Sequence, residues 1–165
     1  MKNIIIAISC IALILSGYTS NAQGDFYKKP ASSPVSATSL KSFASTKIYR
    51  GFLGYFKNAS NLNWYQVKNN FLVKFEENGL ENTALFTKTG QLVYHICYGT
   101  EKLLPRNIRQ LVKSNYYDQI ITRVLKVNQD RRNMWVVYME DDSEYIMVRV
   151  EDMELEETKR MTKTK

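Results

Sequence analysis

The chain has 165 residues and a formal net charge of +7, with 44% hydrophobic and 24% charged residues. This length is typical of one domain that buries an independent core without a disulfide or a structural metal. The two cysteines are Cys10 and Cys97, and the mature chain cannot form an intramolecular disulfide once Cys10 is removed with a signal peptide.

The first 22 residues are predicted to be a secretory signal peptide. Lys2 supplies the cationic start, residues 4–15 are mostly apolar, and Ser20 and Ala22 are the small residues of a cleavage site. The apolar stretch is shorter than the ~20 residues that span a bilayer. An uncleaved anchor and a lipid anchor on Cys10 are the alternatives. Cleavage near Ala22 would leave 143 residues with a net charge of +6, located in the periplasm or secreted.

Two polar segments flank the predicted domain. Residues 23–46 are rich in Ser, Pro and Lys and lack periodicity, so they are predicted to be a flexible leader. Residues 156–165 are equally poor in apolar side chains and are predicted to be a polar basic tail. The folded domain is therefore predicted over residues 47–155.

A helix is predicted from Lys47 to about Asn58, because apolar side chains recur there with a period near 3.6. Gly51 and Gly54 each weaken it by up to ~1 kcal/mol relative to Ala, so it must be held by what it packs on. Four strands follow, separated by turns that contain Gly79 and Gly90. They are predicted over residues 62–67, 71–75, 83–87 and 92–98.

The same order then recurs. A second helix is predicted after Leu104, with Pro105 in its first turn. Three more strands are predicted over residues 120–127, 134–139 and 145–150. The repeats cover about residues 47–99 and 103–155. We predict an α+β fold of two helix-plus-antiparallel-meander units, with the helices packed on one face of an antiparallel sheet.

Aromatic residues of the strands are the predicted core. The alternation in the second strand puts Phe71, Val73 and Phe75 on one face. The central packing residues are expected to include Trp64, Phe71, Phe75, Phe86 and Trp135.

Four stretches of the chain resemble the PepSY-like, β-lactamase-inhibitor-like (BLIP-like) family of secreted bacterial proteins. They are "FKNASNLNW", "FLVKFEENGLENTALFTKTGQLV", "LPRNIRQLVKSNYYDQIITRVLKV" and "WVVYMEDDSEYIMVRV". The resemblance covers about residues 47–155 and rests on hydrophobic and turn signatures. It implies a non-enzymatic protein that binds or inhibits another protein in the periplasm.

Inhibitors of this fold insert loop residues into an enzyme's active site, which makes the hairpin acids the nearest candidates for partner binding. These acids are Glu76, Glu77, Asp141 and Asp142. A carboxylate at a loop tip could mimic an anionic substrate, whereas the simpler interpretation is a solvated turn. The acidic stretch "MEDDSEY" could hold a Ca²⁺ ion, but it lacks the spaced ligands and the central glycine of a dedicated Ca²⁺-binding loop.

No catalytic, cofactor-binding or metal-binding residue is predicted. His95 is the single histidine, and the sequence has neither a nucleophile elbow nor a glycine-rich phosphate loop. Cys97 lies in the same strand and is predicted to be a small buried hydrophobe, with a reactive or intermolecular thiol as the alternative. The protein is therefore predicted not to be an enzyme.

Basic residues suggest a second function. Arg106, Arg109 and Lys113 are three and four residues apart and are predicted to share one face of the second helix. A sequence pI near 9.3 resembles that of nucleic-acid binders, but the export signal argues against nucleic acid. Two functions therefore stay open: a module that binds or inhibits a periplasmic protein, or a cationic cell-envelope protein held by electrostatics.

Overall fold

The structure is a computed structural model that describes residues 47–164. The predicted signal peptide, the predicted leader and Lys165 lie outside the described residues. The first half contains helix α1 (Lys47–Tyr55) and strands β1 (Ser60–Val67), β2 (Asn70–Glu77), β3 (Leu80–Thr87) and β4 (Leu92–Gly99). A 3₁₀ turn (Glu101–Leu103) and helix α2 (Arg106–Asn115) lead to β5 (Ile120–Gln129), β6 (Arg132–Glu140), β7 (Glu144–Glu151) and β8 (Glu154–Thr162).

All eight described strands form one antiparallel sheet in chain order, from β1 to β8. Each of the seven predicted strands falls within one of β1 to β7. Strands β4 and β5 are separated in sequence by the helical connection and pair with each other, from Tyr94–Gln129 to Gly99–Val124. The two halves of the chain therefore share one sheet.

Tight turns with positive φ angles join three pairs of strands. Their central residues are Asn78-Gly79, Asp130-Arg131 and Asp152-Met153, and φ is positive at all six positions. This geometry matches the right-handed twist of the flanking strands. Asn78-Gly79 carries the favoured residues for such a turn, whereas Arg131 and Met153 adopt a conformation that is uncommon for non-glycine residues.

The predicted fold class was wrong. We predicted two helix-plus-meander units with helices packed on a sheet face, but the described chain is dominated by a single eight-stranded sheet. Its two α-helices have nine and ten residues and bury two side chains each, Ile48 and Phe52 in α1 and Ile108 and Val112 in α2. Pairing of β4 with β5 satisfies the backbone groups at the boundary between the predicted units, which merges them.

An aromatic cluster forms the first part of the core. The Phe52 ring of α1 lies 5.5 Å from that of Trp64, 5.1 Å from Phe75 and 6.0 Å from Phe86, in edge-to-face arrangements. The predicted burial of Trp64, Phe75 and Phe86 is confirmed. Phe71 is only partly buried beside this cluster.

An aliphatic cluster forms the second part of the core. Val112 of α2 packs with fully buried valines of β5, β6 and β7, namely Val124, Val137 and Val148. Trp135 packs against this cluster and is partly buried rather than central. Within residues 47–164, neither helix has the length and apolar character needed to cross a membrane.

Helix α1 touches the β3–β4 turn through backbone atoms. A Cβ atom added at Gly51 would lie 2.1 Å from the carbonyl oxygen of Gly90, and one added at Gly90 would lie 2.3 Å from that of Lys47. Gly54, in the same helix, has no atom within 4 Å of such a Cβ. The close approach therefore requires glycine at position 51 but not at position 54.

Strand β8 was not predicted. Residues 154–162, which were predicted to be the end of the domain and part of the polar basic tail, pair with β7 from Glu151–Glu154 to Glu144–Thr162. Ion pairs support this pairing, among them Arg149 with Glu156 at 2.5 Å. Arg160 also bonds both Glu144 and Glu157. Charge pairs across the ladder therefore replace the apolar alternation that would have predicted a strand.

Candidate functional site

Five half-buried tyrosines lie on the side of the sheet opposite Phe52 and Val112. Paired residues of neighbouring strands share a face and alternate residues of one strand point to opposite faces, so the register assigns each side chain to one side. We call this side the tyrosine face. Its tyrosines are Tyr65, Tyr94, Tyr98, Tyr138 and Tyr145.

Apolar side chains form a floor between the tyrosines. Leu72, Ile96, Val127, Met134 and Val136 are between 2% and 8% exposed, and they belong to neither of the two core clusters. Burial raises the pKa of Tyr94 to about 12, so its hydroxyl stays a neutral hydrogen-bond donor at physiological pH. The tyrosine face thus combines buried apolar surface with phenol groups at its boundary.

Charges on the tyrosine face are largely paired with one another. Arg132 donates two hydrogen bonds of 2.6 Å to the Glu151 carboxylate, which lowers the pKa of Glu151. Arg149 contacts Glu156 on the neighbouring strand. Lys163 lies 3.3 Å from Glu140. Three cations of this face are therefore paired with carboxylates of the same face.

Cations also stack on three of the tyrosine rings. Lys74 lies 5.9 Å from the centroid of Tyr65, and Lys163 lies 4.6 Å from that of Tyr145. The Arg123 guanidinium lies 5.2 Å from the Tyr98 centroid, beside a shallow cleft of about 470 Å³ that Leu80 and Thr122 also line. Such contacts hold aromatic rings in place at a partly wet surface.

The four predicted hairpin acids lie at one end of the sheet: Glu76 and Glu77 are the last residues of β2, and Asp141 and Asp142 lie in the β6–β7 connection. Glu76 is exposed and accepts a 3.0 Å hydrogen bond from Asn61. Glu77 is half-buried and Asp142 is exposed.

Asp141 is part of its own turn. Its Oδ1 accepts hydrogen bonds from the backbone N–H groups of Ser143 at 2.7 Å and Glu144 at 2.8 Å, and from the Ser143 hydroxyl at 2.8 Å. Its Oδ2 accepts one from Gln119 at 2.5 Å. These bonds lower the pKa of Asp141 to about 2. A binding role for the four acids stays a prediction.

The three predicted basic residues lie on α2, and two of them are close to one carboxylate. Glu101 is 3.8 Å from Arg109 Nε and 3.7 Å from Lys113 Nζ. Arg109 also donates to the carbonyl oxygens of Glu101 at 3.3 Å and Leu104 at 3.1 Å, whereas Arg106 is exposed. Partial neutralisation by Glu101 weakens the positive potential of this helix face.

His95 connects three strands at the boundary between the two core clusters. Its Nε2 lies 2.9 Å from Asn82 Oδ1, and its Nδ1 lies 3.2 Å from Asn128 Nδ2. Burial, with a smaller effect of Lys126, lowers the pKa of His95 to about 4. At neutral pH the imidazole is therefore neutral, donates from Nε2 and accepts at Nδ1, which makes it a structural cross-strand contact.

Cys97 lies two residues further along the same strand and is 9% exposed. Burial raises the pKa of its thiol, so the reactive thiolate is disfavoured. Among residues 47–164, no three or more His, Cys, Asp or Glu side chains are grouped in a way that could hold a metal ion.

Comparison with known proteins yields structural matches only. No protein-family model matches the sequence, and no curated protein is significantly similar to it. A solved BLIP-like protein from Bacteroides fragilis matches with a TM-score of 0.61 at 16% identity, over 72% of this chain and 87% of that one. The chain has the BLIP-like fold.

Other solved structures share the BLIP-like fold. A DUF2874 family protein from Bacteroides ovatus matches with a TM-score of 0.59 at 15% identity, over 72% of this chain and 86% of that one. A protein from Bacteroides eggerthii, described provisionally as periplasmic, matches with a TM-score of 0.58 at 13% identity, over 70% and 86%. The BLIP-like part of the predicted resemblance is confirmed, and the PepSY-like part gains no support.

Sequence reasoning missed the tyrosine face of this BLIP-like fold. The signal was present in β4, where Tyr94, Ile96 and Tyr98 alternate. Aromatic residues of the strands were predicted from the sequence to be core residues. Tyrosine differs from phenylalanine because its hydroxyl favours a position where one end of the ring remains wet.

Proposed function

We propose that the tyrosine face binds another protein, in the periplasm or outside the cell. The observation that carries this proposal is the composition of the face around its apolar floor. Beside the five tyrosines it carries three arginines, Arg123, Arg132 and Arg149, and three methionines, Met134, Met147 and Met161. Tyrosine, methionine and arginine are enriched at protein interfaces, and tyrosine and arginine are frequent among their energetically dominant residues.

The pairing of charges on this face supports a particular kind of partner. Arg132, Arg149 and Lys163 already have carboxylate partners on the same face. A polyanion would have to compete with those carboxylates, whereas a folded protein with an exposed apolar patch would bury the rings and the floor. Binding should therefore depend mainly on apolar and aromatic contact and survive high salt.

Two further observations support the location and the class of function. The predicted signal peptide in residues 1–22 and the provisionally periplasmic neighbour from Bacteroides eggerthii favour export. The BLIP-like neighbour favours a binding role over a catalytic one. In this proposal the hairpin acids Glu76, Glu77, Asp141 and Asp142 are rim residues at one end of the interface.

The alternative is a cationic envelope protein held by charge through Arg106, Arg109 and Lys113. The proximity of Glu101 to two of these residues disfavours it.

The test is affinity capture by the mature chain, residues 23–165, from a cell-envelope extract at two salt concentrations, about 0.1 M and about 1 M. The Debye length falls from ~10 Å to ~3 Å between these concentrations, so attraction between exposed charges is screened at the higher one. Wild type is compared with Tyr98→Ala and Met147→Ala on the tyrosine face. Tyr55→Ala is the matched control, because Tyr55 is 60% exposed on α1. Circular dichroism checks that each variant is folded.

The expected result is one stoichiometric protein that is retained at high salt, captured at least tenfold less by the two face variants and captured normally by Tyr55→Ala. A diffuse set of proteins released by salt would support the envelope-charge alternative. If both face variants captured the partner as well as the wild type, the tyrosine face would be excluded as its binding site.

A further inference from the structure

One end of the sheet is basic. The β1–β2 turn contains Lys68 and the β3–β4 turn contains Lys88, and antiparallel pairing in chain order places both turns at the same end of the strands. Neighbouring strands lie about 4.8 Å apart, so these two turns are separated by roughly 10 Å. Helix α1 begins at this end, because a Cβ atom added at Gly90 would lie 2.3 Å from the carbonyl oxygen of Lys47. We call Lys47, Arg50, Lys68 and Lys88 the basic end.

The basic end carries no carboxylate of its own. Residues 47–75 contain five Lys or Arg and no Asp or Glu. The four cations of the basic end are exposed, and no salt bridge within residues 47–164 includes any of them. The basic face of α2 differs, because Arg109 and Lys113 lie beside Glu101. The other two turns at this end of the sheet contain one Asp each, so the excess of positive charge is confined to the half beside α1.

Stability does not account for the cations of α1. Lys47 and Arg50 lie in the first four residues of the helix, and its first turn contains no acidic residue. The helix dipole favours anions over cations at this position, and its positive N-terminus adds to the potential of the basic end. Residues that oppose a local preference in this way are expected at functional surfaces.

We propose that the basic end docks on a membrane surface that contains anionic lipids. Its cations lie on two turns and a helix end rather than in a groove, so together they fit an extended anionic surface. The predicted signal peptide in residues 1–22 favours export, which would place the mature chain beside phospholipid headgroups. Nucleic acid is disfavoured, because no aromatic side chain on which a base could stack is among the exposed residues of the two turns, Lys68, Asn69, Lys88 and Thr89.

Docking at the basic end determines the orientation of the sheet. The hairpin acids lie at the opposite end of the strands, so an anionic surface attracts one end of the sheet and repels the other. The strands would therefore point away from the membrane, and the tyrosine face would stay accessible to a partner protein. The basic end is a different surface from the tyrosine face, and the proposal does not depend on what that face binds.

The test is cosedimentation of the mature chain, residues 23–165, with phospholipid vesicles at about 0.1 M salt. Vesicles of phosphatidylcholine alone are compared with a mixture of phosphatidylcholine and phosphatidylglycerol, which is anionic. The basic-end variant is Lys68→Glu/Lys88→Glu. The matched control is Lys57→Glu/Lys102→Glu, which has the same net charge but changes exposed lysines near the start of β1 and the end of β4, at the opposite end of the strands. Circular dichroism checks that both variants are folded.

The wild type should bind the anionic vesicles and be released at about 1 M salt. Each Lys or Arg near an anionic surface strengthens binding about fivefold, so the basic-end variant should bind at least about tenfold more weakly. The control should stay within about threefold of the wild type. An eight-residue strand is about 26 Å long, so the opposite end lies more than two Debye lengths from the membrane.

Three results would overturn the proposal: a wild type that does not bind anionic vesicles, equal binding to vesicles of phosphatidylcholine alone, or equal losses in the two double variants. If the basic-end variant bound vesicles normally but lost a captured partner protein, the basic end would be a protein-binding surface instead. These outcomes leave the test of the tyrosine face unaffected, because that test uses different variants.

A second readout keeps all four cations of the basic end. An environment-sensitive dye attached to Asn69→Cys, in the β1–β2 turn, should change its emission when anionic vesicles are added. The same dye on Asp142→Cys, at the opposite end, should not respond. Cys97 is 9% exposed, so labelling of the folded protein is directed to the introduced thiol. Equal responses at both positions would contradict the end-on orientation, and no response at Asn69→Cys would contradict docking of the basic end.

Discussion

The contact between α1 and the β3–β4 turn predicts opposite effects for two Gly→Ala substitutions in one helix. At position 54 the new methyl group meets no atom within 4 Å, so Gly54→Ala should stabilise the protein through helix propensity by up to about 1 kcal/mol. At position 51 the methyl group would lie 2.1 Å from the Gly90 carbonyl oxygen. The helix backbone fixes the position of the Cβ atom, and the carbonyl oxygen belongs to the backbone of the turn, so neither atom can rotate out of the contact.

Relief of this clash would have to move α1 away from the turn by about 1 Å. That movement would disturb Ile48 and Phe52, which are 6% and 0% exposed. Overpacking of this kind costs about 1–3 kcal/mol and sometimes more, against a propensity gain of about 1 kcal/mol. We expect Gly51→Ala to lower the free energy of unfolding by up to about 2 kcal/mol. The two variants should therefore differ by the cost of overpacking, about 1–3 kcal/mol.

Urea unfolding followed by circular dichroism measures both values. Both substitutions reduce the entropy of the unfolded chain by the same amount, so their difference isolates the folded-state contact. Unchanged m-values would show that the denaturant midpoints report stability. If Gly51→Ala proved as stable as Gly54→Ala, α1 would lie farther from the β3–β4 turn than the structure places it.

Three further predictions follow from the core and from β4. Phe75→Ala should lower the free energy of unfolding by about 3–5 kcal/mol, because Phe75 is buried in the aromatic cluster. The control is Lys74→Ala on the other face of β2, which should change the free energy of unfolding by less than about 0.5 kcal/mol. Equal effects of the two substitutions in urea unfolding would show that the register of β2 is wrong by one residue. His95 should make stability depend on pH, because the unfolded imidazole binds a proton below its ordinary pKa of 6.5 and the folded one only near 4. The free energy of unfolding should therefore fall as pH drops through that window and level off below it, by about 1–2 kcal/mol once solvent screening of the half-buried ring is allowed for. Subtracting the pH profile of His95→Gln isolates this contribution, and identical profiles would contradict the lowered pKa. Cys97 should react with a thiol reagent much more slowly in the folded protein than in urea, and equal rates would show that the thiol is accessible in the native state.

Local sequence patterns predicted much of the secondary structure. Period-two alternation located seven strands to within three residues of their ends, and the favourable turn residues Asn78-Gly79 located the β2–β3 hairpin. The same alternation put Phe71, Val73 and Phe75 on one face, and all three contribute to the aromatic cluster. These features could be predicted because they depend on neighbouring residues and on backbone geometry that repeats over short distances.

The sequence predicted the functional surface less well than it predicted the secondary structure. Asp141 was predicted to be a candidate partner-binding residue, and its carboxylate accepts three hydrogen bonds from its own turn and one from Gln119. One of these bonds comes from Gln119, which is distant in sequence and could not be paired with it from local pattern. The tyrosine face was missed because five residues from four strands form it only after those strands pair.

By itself, the sequence determined where most strands and helices lie, which turns are tight and which side chains share a face within one strand. Tertiary structure alone decided that β4 pairs with β5, that residues 154–162 form a strand and that the tyrosines of separate strands share one side. The physical reason is that a strand satisfies its backbone hydrogen bonds on another strand. Its final partner, and with it the surface that the protein presents, therefore depends on residues far away in the chain.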